Sequence, residues 1–303
     1  MRRPIPKGAV GLIFLAAVGA GCGPTDVPSE DVPGTLAEAS VDADPSFPVS
    51  LVDDAGRRVE LATPPRRIVS LVPASTRILV ALNRGDRIVG RTDYDQEPEL
   101  EEVPSVGGGL EPSMERVVSL EPDLVVRFRA DSDPGTPRSL DAAGIAHLAV
   151  RPDRIEDVYR MIDLLGRATG AGAQAEALAE AVTRELEEVR ERVAGVTRPR
   201  VAYLLGGNPP LAAGRETFLH ELVELAGAEN VLAGEVELYA PVSVEALFAR
   251  EIDLLIVTEG SSLPAALRAL PVIRVPRAVE SPGLEVGESA RTLARRLHPD
   301  RFP

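Results

Sequence analysis

Glu115 and Glu245 stand at matching points of two similar stretches, one in each half of the chain. SMERVVSLEPDLVV (113–126) and SVEALFAREIDLLI (243–256) align without a gap, with Ser113 on Ser243, Glu121 on Glu251, Asp123 on Asp253 and Leu124 on Leu254. Each copy reads as a Ser N-cap, a two-turn helix, an acidic turn and a strand. A lone glutamate two residues after a cap complements the helix dipole, for about 0.3–1 kcal/mol, and needs no further role. A pair at equivalent places in the two halves suits a partner with two cationic sites. Arginine is the natural complement, because its guanidinium grips a carboxylate bidentately.

Other chemistry is poorly served. His220 and Glu224 sit at i and i+4 of one helix, a spacing that can hold a metal, but with no third ligand in view the pair reads as a solvated face. His147 precedes a strand and His298 follows the last helix, neither with an evident partner. No Walker loop, strand-bound GxGxxG or GxSxG occurs, and the glycines at 107–109 run into Leu-Glu-Pro, a turn more than a phosphate cradle. The chain therefore reads as neither an enzyme nor a metal protein. A net charge of −14 argues against a nucleic-acid partner.

The elements that must carry the two glutamates follow from periodicity. Residues 173–193 read AQAEALAEAVTRELEEVRERV, with Leu178, Val182, Leu186, Val189 and Val193 on one helix face. Such a helix spans about 30 Å, the diameter of a small domain. On both sides of it, short apolar runs alternate with helical segments, which predicts two pseudo-symmetric α/β lobes with parallel-rich sheets, each covered on both faces, joined by one long helix. The repeat supports that symmetry. The expected layout is a hairpin at 49–61, a first lobe over 48–152, helices including the connecting one over 153–197, and a second lobe over 198–303. Ser75 and Thr217 are expected as N-caps, 206–214 as a loop, and 263–270 as a helix.

Residues 1–22 form a leader. Arg2, Arg3 and Lys7 precede an apolar run too short for a stable span, then Gly19, Ala20, Gly21 and Cys22. This resembles a bacterial lipoprotein signal that is cleaved before Cys22, the residue that then carries the lipid. Gly19 departs from the larger aliphatic residue usual there. Cys22 is the only cysteine, so no internal disulfide exists. Residues 23–47, rich in Pro, Asp and Glu, read as an acidic tether. The mature chain is thus expected outside the cytoplasm, held to the membrane by lipid alone.

Four stretches together carry a further resemblance: RRIVSLVPASTRILVAL (66–82), RTDYDQEP (91–98), VGGGLEPSMERVVSLEPDLVV (106–126) and RVAYLLGGNPPLAAG (200–214). In order and spacing they resemble the helical-backbone solute-binding proteins of ABC importers for cobalamin and iron complexes, nearest to the cobalamin binders, over about residues 47–303. The resemblance implies the class III periplasmic-binding-protein fold and a monomer when free, with a large ligand held between the lobes: cobalamin or a related corrinoid, or else a ferric siderophore or haem. It implies that Glu115 and Glu245 meet arginines of a permease that works with an ATPase. It also implies ligand contacts at Ala74, Ser75 and Thr76, at Tyr94, at Phe128 and Arg129, at the turn with Gly207 and Asn208, and at Tyr239. Three departures stand out. Arg77 occupies a position where glutamate is usual, Leu284-Glu285 replaces a common Pro-Arg, and the turn at 106–109 lacks an aromatic residue. From another class, a surface sensory or interaction protein that kept the fold and lost transport is the alternative.

Overall fold

The computed structural model describes residue 44 and residues 46–129, 133–234, 236 and 238–302. The leader, Cys22 and nearly all of the acidic tether lie outside these residues.

β1 (Val49–Val52) and β2 (Arg58–Leu61) form the expected antiparallel hairpin, with Val49 opposite Leu61. Gly56, whose φ is 74, supplies the left-handed position of the turn, where glycine meets no steric cost. The first lobe's sheet holds β3 (Ile68–Ser70), β4 (Ile88–Gly90), β5 (Leu124–Phe128) and β6 (His147–Val150). Their order is β4-β3-β5-β6 and every pair is parallel. The crossovers carry α1 (Pro73–Ala81), α2 (Met114–Ser119) and α3 (Gly135–Ala142). Two helices follow, α4 (Ile155–Thr169) and α5 (Gly172–Arg192).

The second lobe's sheet contains β7 (Arg200–Gly207), β8 (Pro210–Ala213), β9 (Glu229–Asn230), β10 (Tyr239–Pro241), β11 (Leu254–Thr258) and β12 (Val272–Val275). The order is β10-β8-β7-β11-β12, with β9 also paired to β7. Helices α6 (Phe218–Leu225), α7 (Val244–Phe248) and α8 (Val286–Leu297) cover it. This sheet is mixed, because β10, β8 and β7 pair antiparallel in turn while β7, β11 and β12 are parallel.

Three local expectations change. The stretch 206–214 is not a loop. Gly206 and Gly207, with φ values of 89 and 95, adopt the left-handed conformation that glycine permits. They turn the chain back so that Pro210 pairs with Gly207 and Ala212 with Leu204. The segment at 263–270 makes only a 3-10 turn, Ala265–Ala269, after Pro264. Ser75 is not the cap of α1. The helix starts two residues earlier with Pro73 at its first position, where the fixed φ suits a helix and no N–H is wasted. Thr217 does cap α6, accepting from His220 N at 3.1 Å.

Strand alternation explains why each sheet is covered twice. Leu124 and Val126 of β5 face the main core, and Val125 faces a smaller cluster under α2 and α3. Val201 and Tyr203 of β7 face the main core, and Ala202 and Leu204 a cluster beneath α7. The main core is continuous from Leu51 of the hairpin through Ile162 and Leu186 to Leu222 and Leu293. α5 packs on α4 on one side and on α8 on the other, so it belongs to both lobes. Gly166 permits the close approach of α4 and α5, since a Cβ there would lie 2.4 Å from the Ala175 Cβ. Among the described residues no helix is long and apolar enough to cross a membrane.

Candidate functional site

The parallel strands of the first lobe end together, and ligands of open α/β sheets bind beyond such carboxyl ends. Here those ends face a cavity of about 630 Å³ between the lobes. The first lobe contributes Pro73, Ala74 and Arg77 of α1, Phe128 and Arg129 after β5, and Arg151 to Asp153 after β6. The second contributes Leu238, Tyr239 and residues 280–282. The size falls within the range of small-molecule pockets.

Phe128 is half-buried and its ring stands on the triple-glycine turn. A Cβ on Gly109 would lie 3.0 Å from Phe128 Cε2 and 2.2 Å from Leu71 O, so only glycine fits beneath the ring. Tyr239 stands across the cavity on β10. Its phenol pKa is pushed up to about 12, first by burial and then by the neighbouring Asp153 carboxylate, although the residue as a whole is 45% exposed. It is therefore a neutral hydroxyl at any ordinary pH. Arg151 pairs with Asp153, which raises the guanidinium's pKa further. Arg129 is anchored by its backbone, N donating to Val150 O at 2.7 Å.

The remaining expected contacts lie elsewhere. Ser75 and Thr76 are fully buried behind Ala74 and do not line the cavity. Thr76 Oγ1 donates to Ser70 Oγ at 2.8 Å, and Ser75 Oγ has no hydrogen-bond partner. A helix start binds ligand oxygens through its free N–H groups. The start of α1 offers few, since Pro73 has no N–H and Thr76 N is spent on Val72 O at 3.0 Å. Tyr94 is 70% exposed, outside the cavity wall. Asp95 Oδ2 accepts both Thr92 N and Thr92 Oγ1 at 2.7 Å and folds that loop back on itself. Gly207 and Asn208 are exposed at the tip of the β7–β8 hairpin. Sequence reasoning missed Arg151, Asp153 and Glu280. The signal available for the first two was their place just after a parallel strand.

Glu115 and Glu245 are both exposed on the first turns of α2 and α7. Ser113 Oγ accepts Arg116 N at 3.4 Å, and Ser243 Oγ accepts Ala246 N at 3.0 Å, so the two caps are alike. Glu224 pairs with Arg198 and accepts Asn230 N at 3.1 Å, which leaves it a structural anchor. Among the described residues no group of three or more His, Cys, Asp or Glu is placed to hold a metal. His147 has the partners its sequence context hid: it is buried between Arg57 and Arg127, with Asp141 3.2 Å from Nε2. A second depression, of about 670 Å³ beside the end of α5, is lined in part by Glu224, paired with Arg198, and Glu221, paired with Arg154.

Residues 68–279, most of both lobes, match the periplasmic binding protein family. The chain belongs to that family. A periplasmic binding protein binds solute and is not a catalyst. Among relatives, the uncharacterized ABC transporter substrate-binding lipoprotein YvrC of Bacillus subtilis (strain 168) is 28% identical over 276 residues, covering 84% of this chain and 87% of YvrC. The vitamin B12-binding protein of Yersinia pestis (strain Pestoides F) is 29% identical over 217 residues, 69% of this chain and 76% of its own. Of solved periplasmic binding proteins, the heme-binding protein RhuT from Roseiflexus sp. RS-1 superposes with a TM-score of 0.67 at 26% identity, over 78% of this chain and 99% of RhuT.

Proposed function

We propose that this protein is the ligand-capturing component of an ABC importer and takes cobalamin or a related corrinoid into the cleft between its lobes. The observation that carries the reading is the pair Phe128 and Tyr239, one aromatic from each lobe on the wall of one cavity. A flat macrocycle can lie against such faces, and aromatic contact is worth about 0.5–1.5 kcal/mol beyond area burial. The vitamin B12-binding relatives support the ligand class, and YvrC supports the transport role. Glu115 and Glu245, exposed on equivalent helices, dock on arginines of the permease, whose ATPase drives release. Lipid on Cys22 keeps the protein at the outer face of the membrane.

A second ligand is favoured by one observation. Arg77, Arg129 and Arg151 all line the same cavity, which suits the carboxylates of haem or the acidic arms of a ferric siderophore.

Calorimetric titration of the chain from Gly23 onward with cobalamin, haem and ferric siderophores tests both. The expected result is stoichiometric cobalamin binding, with about 2.7 kcal/mol of added stability at a hundred times the dissociation constant. Haem or siderophore binding would keep the importer and replace the ligand. Silence across the panel would overturn the ligand reading.

A further inference from the structure

Arg77 and Glu285 come from opposite lobes. Arg77 lies in α1, and Glu285 immediately precedes α8. Arg77 Nη1 is 3.4 Å from Glu285 Oε1, and Arg77 Nε is 3.7 Å from Glu97 Oε1. The backbone is close here too, since a Cβ on Gly283 would lie 3.7 Å from the Ala74 Cβ. Two residues beyond Glu285, Gly287 lies against α5, where a Cβ would be 2.1 Å from Glu185 Oε2. The pair thus bridges the lobes beside the helix that joins them.

The pairing is electrostatic more than hydrogen-bonded. Its separations exceed good hydrogen-bond distances, and Arg77 Nε, Glu97 Oε2 and Glu285 Oε2 are each buried with no hydrogen-bond partner. The Arg77 and Glu97 side chains are mostly buried, so solvent screens their attraction only in part. Desolvation cost and Coulomb gain nearly match in such a site. A contact of this kind holds one arrangement and yields to a small displacement.

We propose that Arg77 and Glu285 form an inter-lobe tie that sets the resting angle of the cleft, with Glu97 keeping the guanidinium in place. Near a pivot, a small displacement is magnified at the far ends of both lobes, so the tie acts on the whole cleft. The proposal is independent of which ligand is carried.

Ser119 and Ala249 are exposed and occupy equivalent places in the repeat, one on each lobe. Spin labels on cysteines at these positions, in the full chain with Cys22→Ser, report the lobe separation by pulsed electron paramagnetic resonance without ligand. A Glu97→Gln background avoids setting an exchanged carboxylate against Glu97. Arg77→Glu alone, or Glu285→Arg alone, is expected to move the distance distribution to longer values and broaden it. Arg77→Glu with Glu285→Arg is expected to return it to that of the background. Glu285→Gln, the mildest change, should give a smaller shift in the same direction and keeps the test open if a charge reversal disturbs folding by circular dichroism. A distribution unmoved by the folded single variants, or a double exchange no nearer the background than the worse single, overturns the tie.

Discussion

Asp253 accepts the backbone N–H of Arg200 at 2.7 Å, and Asp253 N donates back to Arg200 O at 2.8 Å. Asp123 does the same in the first lobe, accepting Arg67 N at 3.0 Å while its own N donates to Arg67 O at 2.9 Å. Each arginine then reaches the acidic turn: Arg67 Nε donates to Glu121 O at 3.1 Å and Arg200 Nε to Glu251 O at 2.9 Å. The repeat is therefore larger than the aligned stretches. It includes the start of the neighbouring strand and locks the register of β3 on β5 and of β7 on β11. Asp123→Ala and Asp253→Ala should each lower unfolding free energy by about 1–2 kcal/mol, because a carboxylate bonded to backbone N–H groups is lost. The two losses should add, since the sites share no partner. Urea unfolding of both singles and the double checks this.

Gly109→Ala should be far more damaging than alanine at neighbouring Gly108, where a Cβ meets nothing within 4 Å. The new methyl would strike Leu71 O and the Phe128 ring, so the turn must move and take Phe128 with it. Overpacking of this kind costs about 1–3 kcal/mol. Thermal melts of the two variants should separate by several degrees, and only Gly109→Ala should weaken ligand binding.

Acid should destabilise the protein through His147. Arg127 Nε donates to Nδ1 at 3.0 Å, Arg57 Nη1 lies against the same ring, and Asp141 Oδ1 is 3.2 Å from Nε2. Burial, then the charges of Arg127 and Arg57, depress the His147 pKa. Below the unfolded value of about 6.5, the unfolded chain binds a proton that the folded chain refuses. The stability is complete above about pH 6.5 and is lost as pH falls toward the depressed folded value, at up to about 1.4 kcal/mol per pH unit. Asp141 is separate: burial opposes its ionisation, but the hydrogen bond from His147 and the charge of Arg57 lower its pKa. Its contribution is therefore lost only below about pH 3.9. Denaturant unfolding from about pH 7 to 5 should show the slope, and His147→Gln should flatten it.

Glu115→Ala with Glu245→Ala should leave ligand affinity essentially unchanged and abolish uptake. Both residues lie outside the cavity wall, on exposed helix starts. Calorimetry on the purified variant and an uptake assay in cells expressing it separate the two effects. Loss of ligand affinity in the double variant would remove the docking role.

Local chemistry in the sequence was enough for many of these features. Ser113, Ser243 and Thr217 are caps, and the helix expected at 173–193 is observed at Gly172–Arg192. Phe128, Arg129, Ala74 and Tyr239, positions implied by the family resemblance and not by local chemistry, line one cavity. What escaped depends on contacts between distant segments. An apolar strand looks the same in a parallel or an antiparallel pair, so the reversal at Gly206 and Gly207 hid the mixed sheet. Ser75 looked like a cap because Ser is a common one, while Pro73 had already fixed the helix start. His147 looked solitary because Arg57 and Arg127 are far from it along the chain.

The two aromatic walls of the cleft rest on unequal foundations. Phe128 ends β5, which is paired on both sides, by β3 and β6, and fixed from below by Gly109. Tyr239 belongs to β10, a three-residue strand at the sheet's outer edge that pairs with β8. One wall is thus costly to alter and the other cheap. On the proposed ligand placement, evolution or a mutagenesis library would retune binding by varying the Tyr239 side while the Phe128 side stays constant. Divergence among proteins of this architecture should accordingly accumulate on one flank of the cleft.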